Sequence, residues 1–151
     1  MHAYLLRSVL ALCVAAPGRP PIAVARGLVE AERKARLAFD GRWFERNYTA
    51  DYVEIGPYGY RARRAESIAA YLGEARRLRY GSLGARAIDA RMVGEDLVTR
   101  VRIHAVGDRH TFDLAQTAQE TWTRVGPGWG KRRGRTLAER LTIDGKATPW
   151  P

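Results

Sequence analysis

From Leu97 to Val125 the chain alternates in character with a period of two, and no other stretch constrains the fold as tightly. In Leu97 to His104, Leu97, Thr99, Val101 and Ile103 fall on one side, and Val98, Arg100, Arg102 and His104 on the other. Gly107-Asp108 marks a turn. His110 to Val125 then reads as one long strand with Phe112, Leu114, Gln116, Ala118, Glu120 and Trp122 on a shared face. Strands joined by so short a turn pair antiparallel, and their apolar face needs a cover.

The rest of the chain supplies that cover. Gly27 to Asp40 places Leu28, Val29, Ala31, Ala35 and Ala38 at helical spacing, and Trp43 to Tyr48 reads as a short aromatic helical turn. Tyr52 to Ile55 is a strand stopped by Gly56-Pro57, with Tyr58-Gly59-Tyr60 turning toward a second short strand. Ala65 to Arg77 is the next helix, with Ile68, Tyr71, Leu72 and Ala75 on one face. Ala85 to Val93 precedes a turn at Gly94-Glu95-Asp96. After Val125, Gly126 to Arg135 reads as an exposed loop rich in glycine and arginine, and Thr136 to Ile143 closes the sheet. Helices first and long strands last predict an α+β fold, a curved antiparallel sheet with helices packed on one face.

The first 25 residues read as a signal peptide. Ser8 to Ala16 is an apolar run too short to span a bilayer, Pro17 to Pro21 breaks it, and Ala23-Val24-Ala25 offers small residues for cleavage. This expectation places the protein in the periplasm or outside the cell and leaves 26–151 as one domain. One cysteine, Cys13, and three histidines provide neither a disulfide framework nor a metal centre, and no cofactor is implied. The formal net charge is +10, and all but three of the 26 Lys and Arg residues are arginine. They are spread along the chain and interleaved with acids, so a solvated basic surface is the expectation and nucleic acid is not an expected partner. No stable membrane span is expected.

Three stretches carry a resemblance. Ala50-Asp51-Tyr52-Val53-Glu54-Ile55-Gly56-Pro57-Tyr58-Gly59, Val93-Gly94-Glu95-Asp96-Leu97-Val98-Thr99-Arg100 and Glu120-Thr121-Trp122-Thr123-Arg124 resemble, in order, segments of small SnoaL-like proteins. These belong to the nuclear transport factor 2-like (NTF2-like) superfamily, which includes ketosteroid isomerases. The resemblance runs from about Leu28 to Thr148 and implies a cystatin-like cone with a mostly apolar internal pocket, often dimerising through its sheet. Cones of this kind serve several chemistries, so fold does not settle function. Isomerase relatives need a carboxylate base, a helix tyrosine and a protonated strand acid. Here the base position falls on Ile55 or Gly56, the tyrosine position near Lys34, and Glu120 alone is matched, which argues against steroid isomerase activity.

Glu120 is therefore the best candidate acid or base, its pKa expected to rise among apolar neighbours; the alternative is a structural ion pair, for instance with Arg140 on the neighbouring last strand. Ligand contacts are expected from Tyr52, Tyr58, Tyr71, Val101, Ile103, Leu114, Ala118, Trp122 and Arg140. Tyr60 is a softer candidate, Trp43 and Phe44 should dock the short helix, and His104 should point out of the cone. Three readings follow. One is a cone that binds a small hydrophobic or carbonyl-containing molecule without turnover. The second is an enzyme of isomerase, dehydratase or hydrolase type using Glu120. The third is an association module that forms a homodimer through the sheet and touches anionic partners through the 126–135 loop.

Overall fold

The structure, a computed structural model, describes residues 18–77 and 79–147. The apolar run Ser8 to Ala16 lies outside the described residues. Helix α1 spans Pro21–Ala38, six residues longer at its start than the periodicity predicts. Pro21 occupies its first turn, where a missing N–H costs nothing. The expected cleavage point after Ala25 falls inside this helix, at a fully buried residue. The helix stops where Phe39 turns left-handed (φ 54°) and its N–H returns to the carbonyls of Ala35 and Arg36. The Asp40 carboxylate accepts the Trp43 N–H at 3.0 Å and so caps α2, Gly41–Asn47.

Strand β1 is Tyr48–Ile55, followed by a 3-10 turn at Pro57–Gly59, β2 at Arg61–Arg63 and helix α3 at Arg64–Arg77. The long strands are β3 (Tyr80–Val93), β4 (Asp96–Gly107), β5 (Phe112–Val125) and β6 (Gly128–Ile143), with a short β7 at Lys146–Ala147. Residues 128–135, expected as an exposed loop, belong to β6. They pair with β5 from Val125↔Gly128 to Gln119↔Arg135, because the two-residue connection at Gly126-Pro127 suffices for a hairpin and the ladder satisfies backbone that a loop would leave to water.

The strand order is β2-β1-β6-β5-β4-β3, and β7 pairs with β6. Every pairing is antiparallel except β1 with β6, so the expected antiparallel sheet is a mixed one. The β5–β6 hairpin fixes the direction of β6, and β1 joins its free edge only after a crossover through α3 and the other strands. Register shifts at Ala87/Asp89, Thr117/Ala118 and Thr121/Trp122 mark bulges, the device that bends a sheet around its cover.

The concave side holds two apolar clusters. Ala25 and Val29 of α1 pack on Leu83, Ala87, Leu97, Val101, Ile103 and Trp122. Toward β1, Ala35, Phe44, Tyr48, Tyr52 and Ile68 form the second, with Trp43, Tyr71 and Leu72 against it. Trp43 and Phe44 dock α2 here as expected, edge to face with ring centroids 5.3 Å apart. Among the described residues no helix is long and apolar enough to cross a membrane.

Candidate functional site

Between the two clusters, three elements bring charge into the interior. Glu32 stands on the buried face of α1, one turn from Val29 on one side and Ala35 on the other. Glu120 comes from β5 and Lys131 from β6. The β-bulge opposite Thr121/Trp122 turns Lys131 inward, opposite Trp122, and leaves Arg132 outside, 3.2 Å from Asp51. Lys131 is 2% exposed, and Glu32 and Glu120 are each 4% exposed.

The ammonium of Lys131 donates to both oxygens of Glu32 (3.0 and 2.8 Å) and to Oε1 of Glu120 (2.7 Å), which uses all three of its protons. Oε1 of Glu32 also accepts from the Tyr48 hydroxyl at 3.0 Å and from Arg36 Nη2 at 2.8 Å. Oε2 of Glu120 accepts the Trp122 indole N–H at 3.2 Å. Arg36 lies over the Tyr71 ring, 4.2 Å from its centroid, and the Tyr71 hydroxyl donates to Glu54 at 2.6 Å. Gly134 leaves room for the Tyr52 hydroxyl, since a Cβ there would stand 2.9 Å from it. That hydroxyl is buried with no hydrogen-bond partner among the described residues.

The two acids titrate apart. Burial raises the pKa of Glu32, but Lys131 and Arg36 overcome it and hold the carboxyl at about 2. Burial also raises Glu120; Lys131 opposes this, the charge of Glu32 adds to it, and the net direction is upward. Burial works against the charge on Lys131, yet Glu120 and Glu32 raise its pKa, so it stays an ammonium. Burial pushes the Tyr48 and Tyr71 hydroxyls well up, so both act as neutral donors.

The hollow beside Glu120 is small. It measures about 10 Å³, room for one water, and is lined by Val29, Leu83, Ala85, Val101 and Ile103 together with Glu32, Arg33, Arg36 and Glu120. The expected apolar pocket is thus nearly filled, because the acid, lysine and arginine side chains enter the space that apolar walls would enclose. A second hollow of about 370 Å³ is an open groove at the sheet edge, where β1 stops and β6 runs on. Ile55, Gly56, Pro57 and Gly59 face Arg135 to Glu139 across it.

Of the residues expected at a ligand, Val101, Ile103 and Glu120 meet at the small hollow. Tyr52 and Tyr71 belong to the aromatic cluster near β1. Leu114 and Trp122 pack in the core under α1, with Trp122 fully buried, and Ala118 is buried on the same sheet face. The Tyr58 side chain lies outside the described residues. Arg140 is not the partner of Glu120: it lies opposite Ala115, exposed on the other side of the sheet, because the bulge at Thr117/Ala118 resets the alternation in β6. Lys131 takes that role. Lys34, near the resemblance's tyrosine position, is solvent-exposed, and the buried hydroxyl comes from Tyr48 instead. His104 points outward to Asp113 at 3.0 Å, and Tyr60 is 66% exposed. Glu32, Arg36, Tyr48 and Lys131 are the site residues that pattern reading passed over. Glu32 and Arg36 had a signal, since an acid and a cation one turn apart share a helix face with Val29 and Ala35.

No family model and no curated protein matches the sequence. Solved structures do. An NTF2-like protein from Cytophaga hutchinsonii is 21% identical, superposes with a TM-score of 0.62, and the match covers 72% of this chain and 90% of that one. An NTF2-like protein from Rhodospirillum rubrum, described as of unknown function in nutrient uptake, is 24% identical with a TM-score of 0.61, over 71% and 91% of the two chains. A domain of unknown function with a cystatin-like fold from Nostoc punctiforme is 15% identical with a TM-score of 0.64, over 76% and 74%. At these identities the likeness fixes the architecture, and the chain has the NTF2-like cone fold.

Proposed function

We propose that this NTF2-like cone is a small-molecule-binding domain without turnover. One observation carries the absence of turnover: both oxygens of the single matched acid, Glu120, are taken by Lys131 and Trp122. A general acid needs a proton aimed at substrate, and an acceptor so occupied has none to aim. The five apolar wall residues favour a small hydrophobic ligand. A ligand larger than one water requires this interior to open, and the opening that the reading invokes lies between α1 and β3, where Arg33 reaches from Glu30 to the Leu83 carbonyl at 3.3 Å. The Arg33 side chain is 25% exposed, and its hydrogen bonds go to Glu30 and the Leu83 carbonyl. Its guanidinium, released from Leu83, is the donor that a ligand carbonyl would meet.

The upward shift of Glu120 favours a second reading, an isomerase, dehydratase or hydrolase in which substrate frees Glu120 from Lys131. A panel of medium-chain aliphatic ketones and their alcohols separates the two by calorimetry and turnover. The expected result is binding with no product, a preference for ketones, and about tenfold loss of that preference in Arg33→Ala, the scale of one hydrogen bond. Turnover abolished by Glu120→Gln would establish the enzyme instead, and no binding to any member would remove the interior-ligand reading.

A further inference from the structure

The face of the sheet turned away from the helices carries an array of arginines that the interior site does not use. Along the chain they are dispersed, which is why the sequence gives no nucleic-acid footprint. Strand register gathers them. Ile55 of β1 stands beside Arg61 and Arg135, Gln119 beside Arg135 and Arg100, so Arg61, Arg135 and Arg100 form a row across the sheet. The adjacent row runs Arg63, Val53, Arg133, Thr121, Val98, Arg91. Arg102 and Arg86 pair on the other side of the first row, next to Arg100, and Arg140 extends the patch along β6. All nine side chains are exposed, and no ion pair joins any of them to a carboxylate among the described residues. Four aspartates share the face: Asp89 opposite Arg100, Asp113 held by His104, Asp51 held by Arg132, and Asp96 at the start of β4.

The rows lie about 7 Å apart, and arginines on alternate strands about 10 Å apart. Every cation on the face is arginine, whose planar fork grips phosphate oxygens in pairs. Between them stand Thr117, Thr121, Gln119, Val98, Val53 and Ile55, with no aromatic ring among the described residues of these rows on which a base could stack. That disfavours a single strand, which is held through its bases. The face also lacks the aromatic or leucine-rich surface with which a peripheral protein enters a lipid interface. A second copy laid on it would set arginine against arginine, which argues against the homodimer expected through the sheet. We propose that this face binds the phosphate backbone of double-stranded nucleic acid without regard to sequence.

Fluorescence anisotropy with two labelled duplexes of unrelated sequence, each about 20 base pairs, tests the proposal at several salt concentrations. The wild-type chain should bind both alike, with log K falling linearly in log salt. In the triple variant Arg100→Gln/Arg133→Gln/Arg135→Gln the slope should shrink by about 2 to 3, and affinity near 0.1 M salt should drop on the order of a hundredfold. The matched variant Arg26→Gln/Arg42→Gln/Arg46→Gln removes three exposed arginines from α1 and α2 and should keep both the slope and most of the affinity. Circular dichroism melts confirm that each variant is folded. Equal losses in the two triple variants would overturn the proposal, as would no binding at low salt. Tighter binding to the single strand, or capture by phosphatidylglycerol vesicles with the duplex ignored, would overturn it in favour of a different partner.

Discussion

Within β6, Lys131 carries the same formal charge as Arg133 and Arg135 and meets opposite surroundings. Lys131 is sealed between two carboxylates and two aromatic rings, 5.3 Å from the Tyr48 centroid and 5.7 Å from that of Trp122. Arg133 and Arg135 stand in water on the far face with no partner among the described carboxylates. The interior cation is matched charge for charge, so it is spent on the fold. The exterior cations are matched by nothing inside the chain and remain free for something outside it. Net charge, which sums the two populations, hides this division.

The largest test of that contrast is Lys131→Met. Removing the shared cation leaves two carboxylates facing each other in the interior and should cost about 3–5 kcal/mol in urea unfolding. Adding Glu120→Leu should recover most of the loss, since Glu32 keeps Arg36 and Tyr48. If the double variant is no better than the single one, the interior network does not act as a unit.

A somewhat smaller effect is expected from pH. The pKa of Glu32 falls from 4.5 to about 2 on folding. Its contribution, about 3 kcal/mol, is therefore full above pH 4.5 and lost as pH falls toward 2. Glu120 shifts the other way, so its protonation favours the folded state, and stability attached to it is lost as pH rises through its folded value. Glu32→Gln should accordingly be costly near neutral pH and nearly silent at the acid end, and Glu120→Gln should be the milder of the two near neutrality. Unfolding free energies measured across this range check both; equal costs for the two substitutions at every pH would contradict the assignment.

Much of the architecture was legible in the sequence, and the reasons are local. The alternation of Leu97, Thr99, Val101 and Ile103 fixed which side of β4 is buried, and Gly94-Glu95 and Gly107-Asp108 fixed where its neighbours turn back. Glycine and arginine misled the reading of 126–135, because composition suggested a loop and backbone pairing with β5 and β1 overrode it. The same misreading hid Lys131. A bulge inserts one residue and flips everything beyond it, so a strict period of two assigns the wrong face to Arg140 and cannot single out Lys131 among four neighbouring cations. Glu120 was visible as an acid on an apolar face; its partner, 99 positions from Glu32 and 11 from Glu120, was set by tertiary contact. The arginine array was invisible for a further reason: its rows run across strands, perpendicular to the chain.

The most direct measurement of the division is urea unfolding of wild type, Lys131→Met and Arg100→Gln/Arg133→Gln/Arg135→Gln at low and high salt, roughly 0.05 and roughly 0.5 M. The interior deficit should persist at both, since ions do not reach buried carboxylates. The outer-face variant should stay within about 0.5 kcal/mol of wild type at either concentration. An outer-face variant as unstable as Lys131→Met, or an interior deficit erased by salt, would contradict the assignment of Lys131 to the fold and of the arginines to a partner.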